Sequence, residues 1–513
     1  MSKTETAAGV KDPSKLTFES VFTRRKILAA YWLVVLLAVP LWWKYTSIDR
    51  LSLPEARVQS VASKQWHSPI RVHIKSEVPA HPAEVVAADV SKLLGEDLKD
   101  VDSVSIDFVS KSTPDTYQVR LHNNVDHTSL IGRQLSIGML PEDDDESIQM
   151  SRLRLASILR HMLVPPPPRA TSSTQRVVKY SPRYRLAFTL LNEDSATGKA
   201  AISWDLQQSM GQYLGPSLDR FKVLHNFTVE SQIQFHAPLA FAPKTVEHEG
   251  KTVHGLTHED LTVFVNSAEW TLSSSVSNDP VLHFVLFVPS ANHTPLHILD
   301  NEGKPSDSNA FILPQWGGIV IVNRPLPHLS SAALKRPFET FRAQLLALLG
   351  VPELPPADIK SDHPESFSDW QLDALIRQRT GENVKDSQET LESIVKLVNQ
   401  IQNMPVGKDV KGDVQSALDA LERAFEVGSS SAARALQYSA EALKLSSRAF
   451  FNPNNLGLLY FPAEHKYAVY TPLFASVAAP LVAAVIRELL AWRRARREQV
   501  AAGEKTAEKP KSD

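Results

Sequence analysis

The sequence predicts an α/β body, a central sheet flanked by helices, that gives way to a helical C-terminal portion and carries one transmembrane helix at each end. Three observations predict it. Short segments alternate apolar and polar residues with helical stretches between them, apolar stripes at helical steps take over after about residue 330, and two uncharged apolar runs flank the whole. At 513 residues the chain is long for one domain and points to about three structural units.

Composition narrows the function classes. Lys plus Arg number 55 against 57 Asp plus Glu, a formal charge of -2, so no general attraction draws the chain to nucleic acid. Cysteine is absent from these residues. That removes disulfides, thiolate metal sites, iron–sulfur ligation and a cysteine nucleophile together. The 34 prolines outnumber the 19 glycines and cluster in connections such as the tetraproline from Pro165 to Pro168.

The N-terminal tail, residues 1–26, ends on Arg24, Arg25 and Lys26. Transmembrane helix 1 is expected over residues 27–45, because Ile27 to Trp43 carries no charge and spans about 26 Å as a helix. A cleaved signal peptide is the rival reading, but the run ends on Trp42, Trp43 and Lys44 rather than on small residues. Transmembrane helix 2 is expected over residues 467–489, an Ala-rich run holding Pro472 and Pro480, with a buried core helix as its rival. The C-terminal tail, residues 490–513, brings Arg493, Arg494, Arg496 and Arg497 immediately after it. Both flanks obey the positive-inside rule when both tails are cytoplasmic, which makes residues 46–466 lumenal. Trp42, Trp43 and Tyr45 then meet Tyr467 and Tyr470 at the far interface, where amphipathic rings are favoured. The sequons at Asn226 and Asn292 fall on the lumenal side, as glycosylation requires.

Within the lumenal region, residues from about 68 to 330 form the α/β domain. Ile70, Val72 and Ile74, then Val104, Ile106 and Phe108, then Tyr117, Val119 and Leu121 alternate as half-buried strands do. Helical spacing from Ala83 separates the first two, and another helical stretch lies between Trp204 and Leu224. The runs Val281 to Val288 and Ile319 to Val322 are almost wholly apolar and suit strands covered on both faces. From about 331 to 452 the region is helical: stripes begin behind Asp386 and Asp413, and a third carries Leu436, Ala440, Leu443 and Phe450.

Catalytic motifs are missing: no G-x-S-x-G, H-E-x-x-H, phosphate-loop or dinucleotide glycine pattern occurs. One cluster, His248, His254, His258, Glu259 and Asp260, has the four-residue His spacing that shares a helix face, but Gly250 and Gly255 argue for a hairpin or loop with solvated histidines. The acidic run from Glu142 to Glu146 lacks the donor pattern of a calcium loop and is expected to be a solvated turn. No catalytic, cofactor or metal site is predicted. The competing class is a membrane-tethered lumenal hydrolase using carboxylates or a metal on His254 and His258. A receptor or adhesion ectodomain is a third reading, weakened by the missing disulfides.

The stretch NAFILPQWGGIVIVN, Asn309 to Asn323, closely resembles a signature of the PIG-S family, a subunit of the glycosylphosphatidylinositol (GPI) transamidase complex. Arg183 to Asp194, Leu224 to Ile233, Val281 to Asp300 and Phe450 to Phe474 look like further family blocks in the same order. The resemblance implies a non-catalytic, structural subunit of an endoplasmic reticulum complex that removes a C-terminal signal from proproteins and attaches a GPI anchor. It also implies PIG-K, which holds the catalytic cysteine, PIG-T, PIG-U and the GPI-anchor-attachment protein as partners, beside membrane lipids and with proprotein or GPI contact open. Within the signature, Gly317 and Gly318 beside Trp316 permit a tight bend or close backbone approach, while Trp316 is alternatively an exposed anchor for a partner.

Overall fold

The computed structural model describes residues 20–46, 50–97, 104–113, 115–123, 128–140, 145–164, 176–196, 200–266, 270, 277–355, 359–361, 366–401, 404–453 and 463–507. The tetraproline, Glu142 to Asp144, the side chains of Trp43, Tyr45 and Tyr467, and residues 454–462 lie outside that description. The chain forms two compact units, one from Met1–Leu53, Ile394–Gly412 and Arg448–Asp513, the other from Pro54–Ser393 and Asp413–Ser447.

The first unit contains α1 (Val21–Thr46) and a long helix, Ala463–Ala507. Each holds a window long and apolar enough to cross a membrane, Phe22–Trp42 and Ala468–Val500, and neither window buries anything within the chain. They run antiparallel. Near the start of α1, Arg24 Nε donates to Glu488 Oε1 (2.6 Å) and Arg25 Nε to Oε2 (3.1 Å). Near its end, Trp42 packs edge-on against Tyr470 and Phe474.

The second unit begins with α2 (Glu55–Ala62), whose Arg57 grips Glu422 through Nε (2.9 Å) and Nη2 (2.7 Å). A six-stranded sheet follows from β1 (Ser68–Ser76), β2 (Val104–Phe108), β3 (Tyr117–His122), β4 (Thr128–Ile131) and β5 (Gln134–Gly138), with β16 (Ile359–Ser361) added at one edge. Its order is β16-β4-β5-β3-β1-β2. Strands β2, β1, β3 and β5 run parallel, and β4 turns back on β5. The period-two pattern puts Ile70, Val72 and Ile74 on one face. There they meet Val86, Val90 and Leu94 of α3 (Ala83–Asp97) and Leu155, Leu159 and Met162 of α4 (Asp145–Leu163).

The second major sheet has the order β13-β14-β11-β6-β8. Its centre is β6 (Arg183–Asn192) paired in parallel with β11 (Val281–Val288) over eight residues, Arg185 opposite Val281 through Asn192 opposite Val288. β8 (Asn226–Gln234) lies beyond β6, and β14 (Gly317–Ile321) and β13 (Ala310–Leu313) lie beyond β11. Both faces of the centre are covered. Phe188, Phe284 and Leu286 face Phe338, Phe341 and Leu345 of α8 (Ser331–Leu349), whereas Leu191, Val285 and Phe287 face Phe264 and Trp270. Each such ring, fully buried, stabilises by about 1.5–3 kcal/mol.

The link from β6 to β8 passes the short β7 (Ser203–Trp204), which pairs with β15 (His328–Leu329), then α5 (Leu206–Ser209), a π turn (Met210–Leu214) and α6 (Gly215–Phe221). Pro216 explains the turn: it lacks an amide donor, the ladder loosens ahead of it, and Gly215 N–H reaches Met210 O instead. A hairpin of β9 (Lys244–His248) and β10 (Lys251–Leu256) with β12 (Leu296–Ile298) forms a small sheet, and α7 (His258–Thr262) follows it. The last helices are α9 (Asp369–Gln400), α10 (Lys408–Val427) and α11 (Ala432–Phe450).

Two expectations need correction. One central sheet was expected, but two major sheets form, each closing its own core, because β1 to β5 bury a single face while β6 and β11 bury both. Helix starts at Asp386 and Asp413 were also expected. Both residues lie inside helices instead, since buried Trp370, Leu375, Ile376 and Val384 extend the first stripe backward and Val410 extends the second.

The β13–β14 turn sets a sharp packing test. A Cβ at Gly317 would lie 2.0 Å from the His283 carbonyl oxygen, and one at Gly318 would lie 2.0 Å from Gln344 Oε1. Gly95 in α3 has open space around it. Gly317→Ala is therefore expected to cost at least about 3 kcal/mol, and Gly95→Ala to add about 0.5–1 kcal/mol, in denaturant unfolding.

Candidate functional site at the carboxyl edge of the five-stranded sheet

The strand order reverses at β6. The chain leaves β6 toward β8 on one side and returns to β11 on the other, so the crossovers diverge beyond the carboxyl ends of β6 and β11. Open α/β sheets hold ligands at such a switch point. The residues gathered there are therefore the first to consider.

Polar groups dominate that edge. Asn192 closes β6, donating from Nδ2 to Ala201 O (3.0 Å) and Gln234 O (3.2 Å) and accepting Ala201 N–H (2.8 Å). Glu193, whose side chain is only 7% exposed, accepts the Ser290 N–H at Oε2 (2.7 Å) and His293 Nδ1 at Oε1 (2.6 Å). The acceptor fixes the tautomer: Nδ1 carries the proton and the neutral ring offers Nε2. The Thr294 hydroxyl donates to Ser290 O (2.7 Å), His254 N–H to Pro295 O (2.9 Å), and Asn323 brackets Leu296 through its N–H (2.8 Å) and carbonyl (2.9 Å). The His254 and His293 rings meet edge-on, centroids 5.6 Å apart.

This set fastens the Ser290–Leu296 loop to the ends of β6, β10 and β14. A carboxylate-backed imidazole is the arrangement of a general base. Among the described residues, however, no hydroxyl bonds to His293 Nε2, and no three His, Cys, Asp or Glu side chains are placed to hold a metal. Sequence reasoning missed Glu193, His293 and Asn323. The available signal was positional, a run of polar residues directly after an apolar strand.

His254 and His258 do not share a helix face. His254 lies in β10, while His258 opens α7 behind a Thr257–Asp260 capping box and is exposed. Asn226 is exposed at the first position of β8, and Asn292 is exposed in the short turn Ala291–His293. Trp316 is half-buried and stacks on His283 at 4.6 Å, next to the two glycines that allow β14 to approach. Arg493, Arg494, Arg496 and Arg497 continue the long C-terminal helix and are exposed, while Lys26 lies over the Phe22 ring.

Comparison with known proteins adds identity to geometry. The family model for phosphatidylinositol-glycan biosynthesis class S protein (PIG-S) matches residues 29–495. The GPI-anchor transamidase component PIGS of Mus musculus is 35% identical over 332 residues, covering 62% of this chain and 59% of the mouse protein. The chain thus spans less than two thirds of that relative. The GPI-anchor transamidase component PIGS of Homo sapiens is 28% identical and is covered over 94% of its length by 90% of this chain. The GPI transamidase component PIG-S homolog of Schizosaccharomyces pombe is 29% identical across 91% of this chain.

Two tests follow from these buried groups. Glu193→Gln replaces a charge-assisted bond to His293 and is expected to cost about 1–3 kcal/mol in unfolding free energy. Burial pushes His225 and His283 down to about 4 from the ordinary 6.5, the first against its bond to Ser181 O and the second reinforced by Arg185. With the folded value depressed, their stabilisation is full above about pH 6.5 and is lost as pH falls toward 4. Denaturant unfolding should lose roughly 3 kcal/mol per imidazole across that window, and His225→Gln should flatten the profile.

Proposed function

The chain belongs to the PIG-S family, and on that premise we propose that it is a non-catalytic, structural subunit of the GPI transamidase complex in the endoplasmic reticulum membrane. The observation that carries the reading is the extent of the family match, residues 29–495, which takes in both apolar helices as well as the body between them. Absence of cysteine supports the non-catalytic assignment, because a cysteine-protease-type nucleophile has no source in this sequence. PIG-K then supplies the chemistry, and PIG-T, PIG-U and the GPI-anchor-attachment protein are the remaining partners.

The two apolar helices serve as membrane anchors. A core helix of similar composition would be buried, and these windows are not. Their antiparallel pairing brings Arg24 and Arg25 to Glu488, so the positive ends share one side, as two cytoplasmic tails require. The bulk of the chain is then lumenal. Anchoring at both ends confines the body to the membrane surface and raises its effective concentration toward membrane-bound partners. Trp316 remains a candidate contact for such a partner, and Asn226 and Asn292 remain candidate glycan sites.

Co-purification from mild detergent tests the assembly: the transamidase subunits should accompany the full chain, and a chain that elutes alone would overturn the reading. Protease added to sealed microsomes should trim only the tails and leave one large protected fragment. Endoglycosidase should shorten that fragment, and the shift should disappear in the Asn226→Gln, Asn292→Gln double variant.

A further inference from the structure

A cleft of about 340 Å³ opens at the amino edge of the six-stranded sheet, far in sequence from the residues of the switch point. Its walls come from the start of β1, the start of β3, the turn before β5, the first turns of α9 and the link from α10 to α11. Three arginines line it: Arg71, Arg133 and Arg377. The volume exceeds that of a simple ion and lies in the range of small-molecule sites.

The charges there are unevenly matched. Asp373 is fully engaged, receiving Arg133 Nε at Oδ2 (2.8 Å), Arg133 Nη2 at Oδ1 (3.1 Å) and the Tyr117 hydroxyl at Oδ2 (2.8 Å). Asp115 lies 3.8 Å from Arg133 and is 76% exposed. Arg377 has no carboxylate partner among the described residues. Its Nη1 donates to the Tyr117 oxygen (2.7 Å), whereas Nε and Nη2 are buried without an acceptor. Three N–H groups, one on Nε and two on Nη2, thus lack an acceptor, which is costly unless an oxyanion takes them.

Backbone donors line the same cleft. Ser431 caps α11, its carbonyl accepting Ala435 N–H (3.0 Å), and the first-turn amides of Ala432 and Ala433 have no acceptor inside the helix. The 19-residue helix directs the positive end of its dipole there, with Ser429, Ser430 and Ser431 alongside. These donors outnumber what the two oxygens of a carboxylate use. Phosphate, with three oxygens and a fit to the guanidinium fork, matches them better.

We propose that this cleft binds a phosphate ester, with Arg377 and Arg71 as its cationic contacts and the first turn of α11 as its amide donors. Val223, Leu372 and Ile376 supply an apolar wall for the organic part of the ester. The site is separate from the Glu193–His293 edge and stands whether or not the subunit assignment does.

Calorimetric titration of the full chain in neutral detergent tests it, with glycerol 3-phosphate, inorganic phosphate and acetate as probes at fixed ionic strength. Saturable binding of both phosphates, at least tenfold tighter than acetate, is expected. Preference for glycerol 3-phosphate identifies an ester headgroup; inorganic phosphate binding as tightly as glycerol 3-phosphate, or more tightly, would overturn the ester and leave a free-phosphate site. Arg377→Gln should weaken binding at least tenfold. Arg71→Gln, at an exposed position, should weaken it several-fold with an unchanged melting temperature. Equal responses to phosphate and acetate, or binding unaltered in a folded Arg71→Gln protein, would overturn the proposal.

Discussion

The eight-residue parallel pairing of β6 with β11 is the constraint from which most of the second unit follows. Two adjacent strands covered on both faces must be apolar almost throughout, and they are. Their coverage requires α8 on one side and the Phe264–Trp270 cluster on the other. It also brings β14 so near β11 that a side chain at Gly317 would strike the His283 carbonyl. Polar groups excluded from the strands collect where the strands end. Asn192, Glu193 and Asn323 therefore spend their hydrogen bonds fastening loops, and the buried Glu193 carboxylate at that edge has a donor on each oxygen.

The six-stranded sheet obeys a looser rule. It buries one face, so alternation suffices and its other positions are free to be polar. Arg71, Tyr117 and Arg133 lie at the amino edge of that sheet, beside α9 and the start of α11, where Arg71 stays exposed and Arg133 is held by Asp373 at the rim of the core that Tyr117 enters. The Tyr117 phenol is 4% exposed and burial raises it, so it stays a donor to Asp373. The two sheets thus concentrate unlike chemistry at opposite strand ends: a loop-fastening carboxylate–imidazole pair at one, an arginine-lined cleft at the other.

Much of this was legible in the residues. Period-two alternation located β1, β2 and β3, and continuous apolar runs located β11 and β14, because those patterns report burial directly. That the chain turns at Gly250, in a hairpin or a loop, was legible from glycine, which takes φ +70° there; the pairing of β9 with β10 decided for the hairpin. Helix starts were less so: Asp386 resembled a cap because Glu389 follows at capping-box distance and an apolar stripe begins at Leu391, while buried Trp370 and Leu375 had already begun the helix. The pairing of His254 with His258 failed for a similar reason. A capping box at Thr257 restarts the backbone between them, so four-residue spacing no longer means a shared face.

Sequence by itself determined the two apolar end helices, the class of body between them, the lack of any thiol chemistry and, through its blocks, the family. These are properties of local pattern and composition, which need no partner residue to be read. Tertiary structure alone decided that strands sort into two sheets, that Glu193 finds His293 one hundred residues away, and that Arg377 reaches Tyr117 across 260 residues. The physical reason is that a hydrogen bond or ion pair depends on distance in space, and only the closing of the cores sets which distant side chains meet.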